Sequence, residues 1–245
     1  MFQSIANFFY VILYQPLFNS LVWLYNSVPG HDFGIAIIIL TIIIRVILFP
    51  TSVKAVKSQR SLQKLQPKIL ELQKKYKDDK EKQAKEIFAL YKIEKINPFS
   101  GLFLALIQVP ILIALYRVFW DGLNQSKLSV LYSFITNPGQ INPLFLHIIN
   151  LSKPNIIFAI LAGLTQYFQT KMLLPPVDSA NIKDKTPDIS QMMQKQMVYF
   201  FPIFTVIILI NLPSALGLYW VASGLFSIIQ QYYIFKQKKL ETPKI

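Results

Sequence analysis

The sequence feature that most constrains the fold is a long apolar run that contains a single arginine. Residues 34–50 read GIAIIILTIIIRVILFP, and Arg45 is their only charged side chain. A helix of this composition crosses a lipid bilayer, and an arginine inside such a helix costs roughly 2.5–3.5 kcal/mol on insertion scales. A charge that is so costly usually marks a polar cavity or a functional site. The run therefore predicts an integral membrane protein with a wet, positively charged recess.

The composition limits the chemistry that the chain can perform. Of its 245 residues 53% are hydrophobic and none is cysteine, which excludes disulfides, thiol catalysis and thiolate metal sites. His31 and His147 lie far apart and border hydrophobic stretches, so they are expected at an interface or in loops rather than as a metal pair. The sequence has no glycine-rich phosphate loop, no His-Glu zinc motif and no Ser-His-Asp set. We therefore expect neither an enzyme nor a bound metal or cofactor.

Hydropathy and charge together predict five membrane spans. The apolar runs lie at residues 34–50, 99–120, 154–174, 197–212 and 215–235. Basic residues outnumber acidic ones in three segments, 51–98, 171–197 and the tail from Lys236, whereas residues 121–152 contain only Asp121 and Lys127 as charged residues. By the positive-inside rule the three basic segments face the cytoplasm and 121–152 faces outside. Five spans satisfy this distribution without adjustment and leave the C-terminus in the cytoplasm.

The segments outside these spans complete an all-α architecture. Residues 5–28 are apolar and uncharged, and we interpret them as an amphipathic helix on the outer surface, with a true span as the alternative. In the outer loop, the run LFLHIINL is predicted to be a short interfacial helix. The predicted divisions are an outer interfacial helix at 1–30, the first transmembrane helix at 31–50, a cytoplasmic helical hairpin at 51–97, transmembrane helices two to five at 98–235 with an outer loop at 121–152 and a cytoplasmic loop at 175–196, and a basic cytoplasmic tail at 236–245.

The polar segment 51–97 contains two helical patterns. The first arm has a narrow apolar seam of Leu62, Leu65, Ile69, Leu72 and Tyr76, and the second arm has one apolar face of Ala84, Ile87, Phe88 and Tyr91. Asp78 is the expected cap of the second arm, and Pro67 is expected to bend or restart the first. These patterns predict an antiparallel hairpin with a lysine-rich surface. That surface suits solvent, anionic lipid or ribosomal RNA.

Polar side chains recur on three of the predicted spans. Thr41 precedes Arg45 by one turn, Gln166, Gln169 and Thr170 share a face, and the last span presents Tyr219, Trp220, Ser223, Ser227 and Gln230 or Gln231. No acidic residue within the spans neutralises Arg45, so water, amides, hydroxyls or lipid phosphate must solvate it. Arg45 reaching to the cytoplasmic interface, and glutamines bonding helix to helix, are the alternatives. Three polar stripes favour a shared wet groove.

The order of these features resembles the YidC family of membrane protein insertases, which has relatives in mitochondria and chloroplasts. The resemblance covers about residues 30–235, and the hairpin followed by the NP…QVPI stretch is its most specific part. It is carried by GIAIIILTIIIRVILFP, QRSLQKLQPKILELQKKYKDDKEKQAKEIFALYK, INPFSGLFLALIQVPILIALYRVF and LGLYWVASGLFSIIQQYYI.

The resemblance implies a positively charged groove that opens to the cytoplasm and to lipid and is closed to the outside. The family's groove arginine falls on Arg45 and its hydroxyl on Thr41, while the aromatic residue falls on Trp220 or Tyr219. Gln166 and Gln169 are both candidates on the third span. The candidate groove residues are Arg45, Thr41, Gln108, Gln166, Gln169, Tyr219, Trp220 and Ser223.

The resemblance also implies partners and a location. We expect nascent membrane proteins and the lipid bilayer as partners, with the ribosome and the Sec translocon as further candidates, and a chain that works as a monomer. Only about 30 residues precede the first span, so we expect a short form without the family's large extracytoplasmic domain. The absence of an Arg-rich transit sequence favours a bacterial plasma membrane.

The functional hypothesis is an insertase that uses no nucleotide. A nascent hydrophobic segment would meet the hairpin, its acidic flank would enter the groove toward Arg45, and partition into lipid would drive the step. A small-solute transporter or channel is the rival class, although such proteins usually show internal repeats or paired ionisable groups. A membrane-anchored scaffold whose hairpin binds a soluble partner is a third class.

Overall fold

The computed structural model describes residues 2–122, 130–173 and 196–240 and is mostly helical. Its α-helices are α1 (Phe2–Phe9), α2 (Gln15–Ser27), α3 (Phe33–Ile47), α4 (Phe49–Lys75), α5 (Lys80–Ile93), α6 (Ser100–Gly122), α7 (Ile156–Leu173), α8 (Phe201–Leu209) and α9 (Ser214–Leu240). Turns of π-helix at Tyr10–Tyr14 and Gln196–Phe200 precede α2 and α8, and a 3₁₀ turn at Pro29–His31 precedes α3. Two short strands, β1 (Leu144–Phe145) and β2 (Ile149–Asn150), pair antiparallel.

Some sequence expectations fall on residues that the structure does not describe. The predicted cytoplasmic loop 175–196 lies outside the described residues except for Gln196. The end of the basic tail, residues 241–245, lies outside them as well, as does the 123–129 part of the outer loop.

Several helices have the length and composition of membrane spans. Ala6–Ser27 and α7 are each long and apolar enough to cross a bilayer, and α3 with α4 passes the same test only as a pair bent by 65°. Val198–Leu209 is a shorter apolar helix. Large apolar side chains also point outward along several helices, among them Ile47, Ile203 and Ile229. These observations confirm the predicted all-α integral membrane protein.

The N-terminal helical segment packs along the end of α6 and the outer loop. The Tyr14 hydroxyl donates to Asp121 Oδ2 at 2.9 Å, and Asn19 Nδ2 donates to the Val130 carbonyl at 3.3 Å. Further along, the Tyr25 hydroxyl accepts from the Asn142 amide at 2.9 Å. Its inward side chains, including Phe18, Leu21 and Val22, are fully buried in the core.

The first span begins at a buried carboxylate. Asp32 precedes α3 in an extended conformation, and its Oδ1 accepts from the Ile35 amide at 2.9 Å, as an N-cap does. Its Oδ2 accepts from the Leu146 amide in the outer loop at 2.6 Å. One side chain therefore both caps α3 and ties the loop to it.

Replacing Asp32 by alanine removes both hydrogen bonds and leaves the Ile35 and Leu146 amides without this acceptor. We expect Asp32→Ala to destabilise the protein by about 1–3 kcal/mol. Asp32→Asn keeps an acceptor for one amide and should lose less. Thermal unfolding of both variants in detergent measures the difference, and equal stability of wild type and Asp32→Ala would contradict the assigned role.

The helix that carries Arg45 ends earlier than the predicted span 34–50. α3 stops at Ile47, and α4 leaves it at 65° after Leu48. Pro50 explains the break, because it has no amide to donate to the Val46 carbonyl one turn back. Proline is nonetheless well tolerated in the first turn of a helix, so α4 starts immediately.

Helices α4 and α5 lie side by side beyond this bend. Lys68 Nζ contacts Glu94 Oε1 at 2.9 Å, and Gln83 Nε2 donates to the Gln73 carbonyl at 2.9 Å, so the two helices run antiparallel. The N-cap of α5 is Asp79, whose Oδ1 accepts from the Lys82 amide, and the prediction of Asp78 was wrong by one residue. α4 also continues through Pro67, where Leu65 and Ile69 are buried on either side.

The outer loop contains a small hairpin where an interfacial helix was predicted. In the run LFLHIINL, Leu144 pairs with Asn150 and Phe145 with Ile149. Leu146 and His147 make the turn with positive φ angles of 51° and 60°. The helix prediction was therefore wrong: residues in the left-handed region cannot continue an α-helix. Phe145 packs onto Gly34, which fixes the hairpin over the start of α3.

Candidate functional site: a polar cavity beside Arg45

A small polar cavity lies where α3 meets α4. It has a volume of about 120 Å³ and is bounded by α3, α4, α7 and α9. The 65° bend after α3 turns α4 away from the axis of α3, and both helices contribute residues to the cavity wall. Its lining residues are Arg45, Ser52, Ala55, Val56, Gln59, Gln169, Leu173, Ser227, Gln230 and Gln231.

Among the residues that the structure describes, Arg45 is the only charged one that lines this cavity. Its Nη2 donates to the hydroxyl oxygen of Ser223 on α9. Within the described residues the one salt bridge joins Lys68 to Glu94, on the α4–α5 pair. The guanidinium is thus surrounded by neutral polar groups, which leaves its positive charge without a countercharge from the described part of the chain.

Neutral hydrogen bonds organise the rest of the cavity wall. Gln230 Nε2 donates to Ser52 Oγ at 2.7 Å and so joins α9 to α4. Ser52 Oγ in turn donates to the Phe49 carbonyl, and Ser227 Oγ donates to the Ser223 carbonyl at 3.0 Å. Gln231 Oε1 is buried and has no hydrogen-bond partner among the described residues. A cavity lined in this way can hold water, because water needs two to four polar partners.

The structure brings together only some of the residues predicted for the groove. Arg45 and Gln169 line the cavity, and Ser223 bonds Arg45. Tyr219 lies one turn before Ser223, and its hydroxyl accepts from Gln108 Nε2 at 2.6 Å. This pair links α6 to α9 next to the arginine.

The other predicted residues lie outside the cavity. Thr41 is buried, and its hydroxyl donates to the Ile37 carbonyl of its own helix at 2.7 Å. Gln166 Oε1 accepts from Thr205 Oγ1 at 2.6 Å, which joins α7 to α8. Trp220 is partly buried and packs against the hydrophobic core.

Two cavity residues on α4, Ser52 and Gln59, were missed because the sequence assigned them to the hairpin. The signal that could have identified them is a spacing of seven residues, from Arg45 to Ser52 to Gln59. Seven residues are close to two helical turns, so such positions share a face. The break after α3 does not interrupt this alignment, since all three line one cavity.

An apolar recess of about 300 Å³ adjoins the polar cavity. It lies between α4 and α9 and shares Gln230 with the cavity. Its other lining residues are Phe49, Val53, Lys57, Phe226, Ile229, Tyr233 and Ile234. Polar and apolar surfaces are therefore presented side by side along the same pair of helices.

These features define a class of protein: a helical integral membrane protein that keeps an arginine among neutral polar groups between its helices. Residues 23–241 match the model of the 60Kd inner membrane protein family, and the chain belongs to that family. This confirms the resemblance found in the sequence. Family membership also agrees with the predicted location in a bacterial membrane.

Several relatives of this chain are named "Membrane protein insertase YidC". The chain is 38% identical to the Syntrophus aciditrophicus protein over an alignment of 227 residues. This alignment covers 92% of this chain and 36% of the relative. The identity to the Geobacter metallireducens protein is 34% over 229 residues, and this alignment covers 93% of this chain and 37% of the relative. The identity to the Fusobacterium nucleatum protein is 34% over 227 residues, and this alignment covers 92% of this chain and 98% of the relative. The chain thus spans a little over a third of the first two relatives and nearly all of the third.

Proposed function

We propose that the protein is a membrane protein insertase that receives nascent membrane proteins in the cavity beside Arg45. The observation that carries the proposal is a guanidinium held between helices by neutral partners, in a family whose relatives are named insertases. An arginine in this setting attracts the negative charge of an incoming chain, because a low dielectric strengthens the interaction.

The proposed topology is five spans formed by α3, α6, α7, α8 and α9. The direction of each helix supports it. Phe33, at the start of α3, packs on Phe119, near the end of α6, at 6.5 Å between ring centroids, so these two helices run in opposite directions. Gln166 bonds Thr205 while Tyr167 packs on Tyr199, so α7 and α8 are also antiparallel.

Helices α7 and α9 run in the same direction, as the third and fifth of five spans must. Phe158 packs on Gly217, and Thr165 packs on Gly224, seven residues further along both helices. With the outer loop outside, the α4–α5 hairpin and the C-terminus lie in the cytoplasm. The N-terminal segment contacts the outer end of α6 and the outer loop, which favours a helix lying on the outer surface over a sixth span.

In the proposed mechanism the polar cavity and the apolar recess bind different parts of the incoming chain. The polar flank of an incoming segment enters the cavity beside Arg45, where amides and hydroxyls replace part of its hydration. Its hydrophobic part lies in the apolar recess between α4 and α9, from which it can move sideways into lipid. Transfer of apolar surface into lipid drives the step at roughly 25 cal/mol per Å². Nucleotide hydrolysis is not required.

The lysine-rich surface of α4 and α5 is the proposed first contact for the nascent chain. The ribosome and the Sec translocon as partners, and action as a monomer, stay predictions from the family resemblance.

A short apolar helix such as Val198–Leu209 would also thin the surrounding bilayer, which shortens the path of a polar flank.

Reconstitution into liposomes tests the proposed function directly. We expect the purified protein to insert a short single-span substrate into sealed vesicles without ATP, scored by protease protection of the translocated flank. The same vesicles should show no increase in the flux of small solutes. Solute flux without insertion would replace the insertase with the transporter or channel, and neither activity would favour the scaffold.

A further inference from the structure

A second arginine lies beyond the cavity, between α4 and α9. The guanidinium of Arg60 lies over the ring of Phe235, with its central carbon 4.5 Å from the ring centroid. Its Nη1 is buried, and so is Nε2 of Gln63, one turn further along α4. Neither atom has a hydrogen-bond partner among the residues that the structure describes.

Arg60 follows directly on the cavity wall. Val56 and Gln59, which precede it on α4, line the cavity, and Gln231, one turn before Phe235 on α9, lines it from the other side. Both helices lead from the cavity toward the hairpin end of the molecule. An incoming chain that reaches Arg45 from that end therefore passes Arg60 first.

We propose that Arg60 and Gln63 form a second anion-binding station, which binds a carboxylate of the incoming chain before that carboxylate reaches Arg45. This inference rests on the proposed insertase function. A guanidinium carries five N–H donors, and two of them can donate parallel hydrogen bonds to the two oxygens of one carboxylate. A buried donor without a partner is unfavourable, so a carboxylate that satisfies Nη1 and the Gln63 amide gains stability from both.

The position of these donors favours a polypeptide carboxylate over a lipid phosphate. Arg60 Nη1 is buried between two helices and next to the polar cavity. Lys54 and Lys57 on the same helix are exposed and serve as the cations available to lipid headgroups. A second positive charge on the entry route also lets the carboxylate of the incoming chain move to Arg45 in two short steps, with Arg60 as the intermediate position.

The test compares two substrates that differ only in their translocated flank, one with two aspartates and one with asparagines in their place. In proteoliposomes we expect Arg60→Gln to slow insertion of the aspartate substrate about tenfold, the scale of one charge-assisted interaction. Insertion of the asparagine substrate should change less than about twofold. The matched control is Arg117→Gln, which removes a positive charge from an exposed position on α6, away from α4 and α9, and should not distinguish the substrates.

A direct contact is measurable because the chain contains no cysteine. We expect a substrate with one cysteine beside its aspartates to form a disulfide with Gln59→Cys, and Arg60→Gln to lower the yield for the aspartate substrate only. Equal effects of Arg60→Gln and Arg117→Gln, or equal loss of both substrates, would overturn the inference. If the preference for the aspartate substrate required anionic lipid and disappeared in zwitterionic vesicles, Arg60 would be assigned to anionic lipid headgroups, and the inference would be overturned as well. Failure of wild type to insert either substrate would instead reject the proposed function.

Discussion

Arg45→Gln is expected to reduce insertion of substrates with acidic flanks by at least about tenfold. An ion pair at about 4 Å contributes about 4 kcal/mol at an effective dielectric of about 20, and water in the cavity weakens that value. Even about 1.4 kcal/mol of lost attraction changes a rate about tenfold. A substrate whose flank is uncharged should lose much less, since it makes no ion pair. The measurement is the rate of protease protection for both substrates in the same vesicles.

Two further variants separate charge from structure. Arg45→Lys keeps the charge but not the fork that bonds Ser223, and it should retain most of the preference for acidic flanks. Arg117→Gln is the matched control, because Arg117 is exposed on α6 and does not line the cavity. Equal losses for acidic and uncharged substrates in Arg45→Gln would contradict the electrostatic role. Full activity of Arg45→Leu would favour a scaffold.

Hydropathy predicted the helices well because few backbone conformations are stable in lipid. A chain in hydrocarbon must satisfy its own amides, so a long apolar run becomes a helix. The α7 range, Ile156–Leu173, lies within the predicted 154–174 for this reason. The end of α3 was less predictable, because Pro50 fits both the end of one helix and the first turn of the next. Only the bend of α4 decides between them.

The choice between neighbouring polar residues depends on tertiary packing. Gln166 and Gln169 share one face of α7, and the sequence could not separate them. α8 supplies Thr205 as the partner of Gln166, whereas Gln169 faces the cavity with α4 and α9. Tyr219 and Trp220 differ by about 100° around α9, and only Tyr219 meets Gln108. In each pair the neighbouring helix selects the side chain, and the sequence of one helix does not contain that information.

The hairpin in the outer loop has a similar explanation. An apolar run of eight residues suits a helix or a pair of strands, and periodicity alone does not distinguish them. Phe145 seats on Gly34, and Asp32 binds the Leu146 amide, so contacts with α3 hold this run in its observed conformation. These contacts join residues more than a hundred positions apart in the chain.

The interface between α7 and α9 gives the second large expected effect. Helices in a membrane associate through close contact of small residues, and Gly217 and Gly224 provide it here. A Cβ atom added at Gly224 would lie 2.7 Å from Thr165 Oγ1 and 2.8 Å from Thr165 Cβ. Rotation of the threonine cannot relieve the second contact, because the position of Cβ is set by the backbone. Gly224→Ala must therefore move α7 and α9 apart.

We expect Gly224→Ala to lower the melting temperature in detergent by about 4–8 °C, which corresponds to about 2 kcal/mol in a chain of this size. The displaced α9 carries Ser223, so the variant should also weaken the hold on Arg45 and reduce insertion. Gly122→Ala is the matched control, because among the described residues the nearest atom to its added Cβ would be in Phe18, at 3.9 Å. Because this added Cβ displaces no described neighbour, the control should leave the melting temperature nearly unchanged. Equal melting temperatures of Gly224→Ala and Gly122→Ala would contradict a stabilising role for the close helix contact at Gly224.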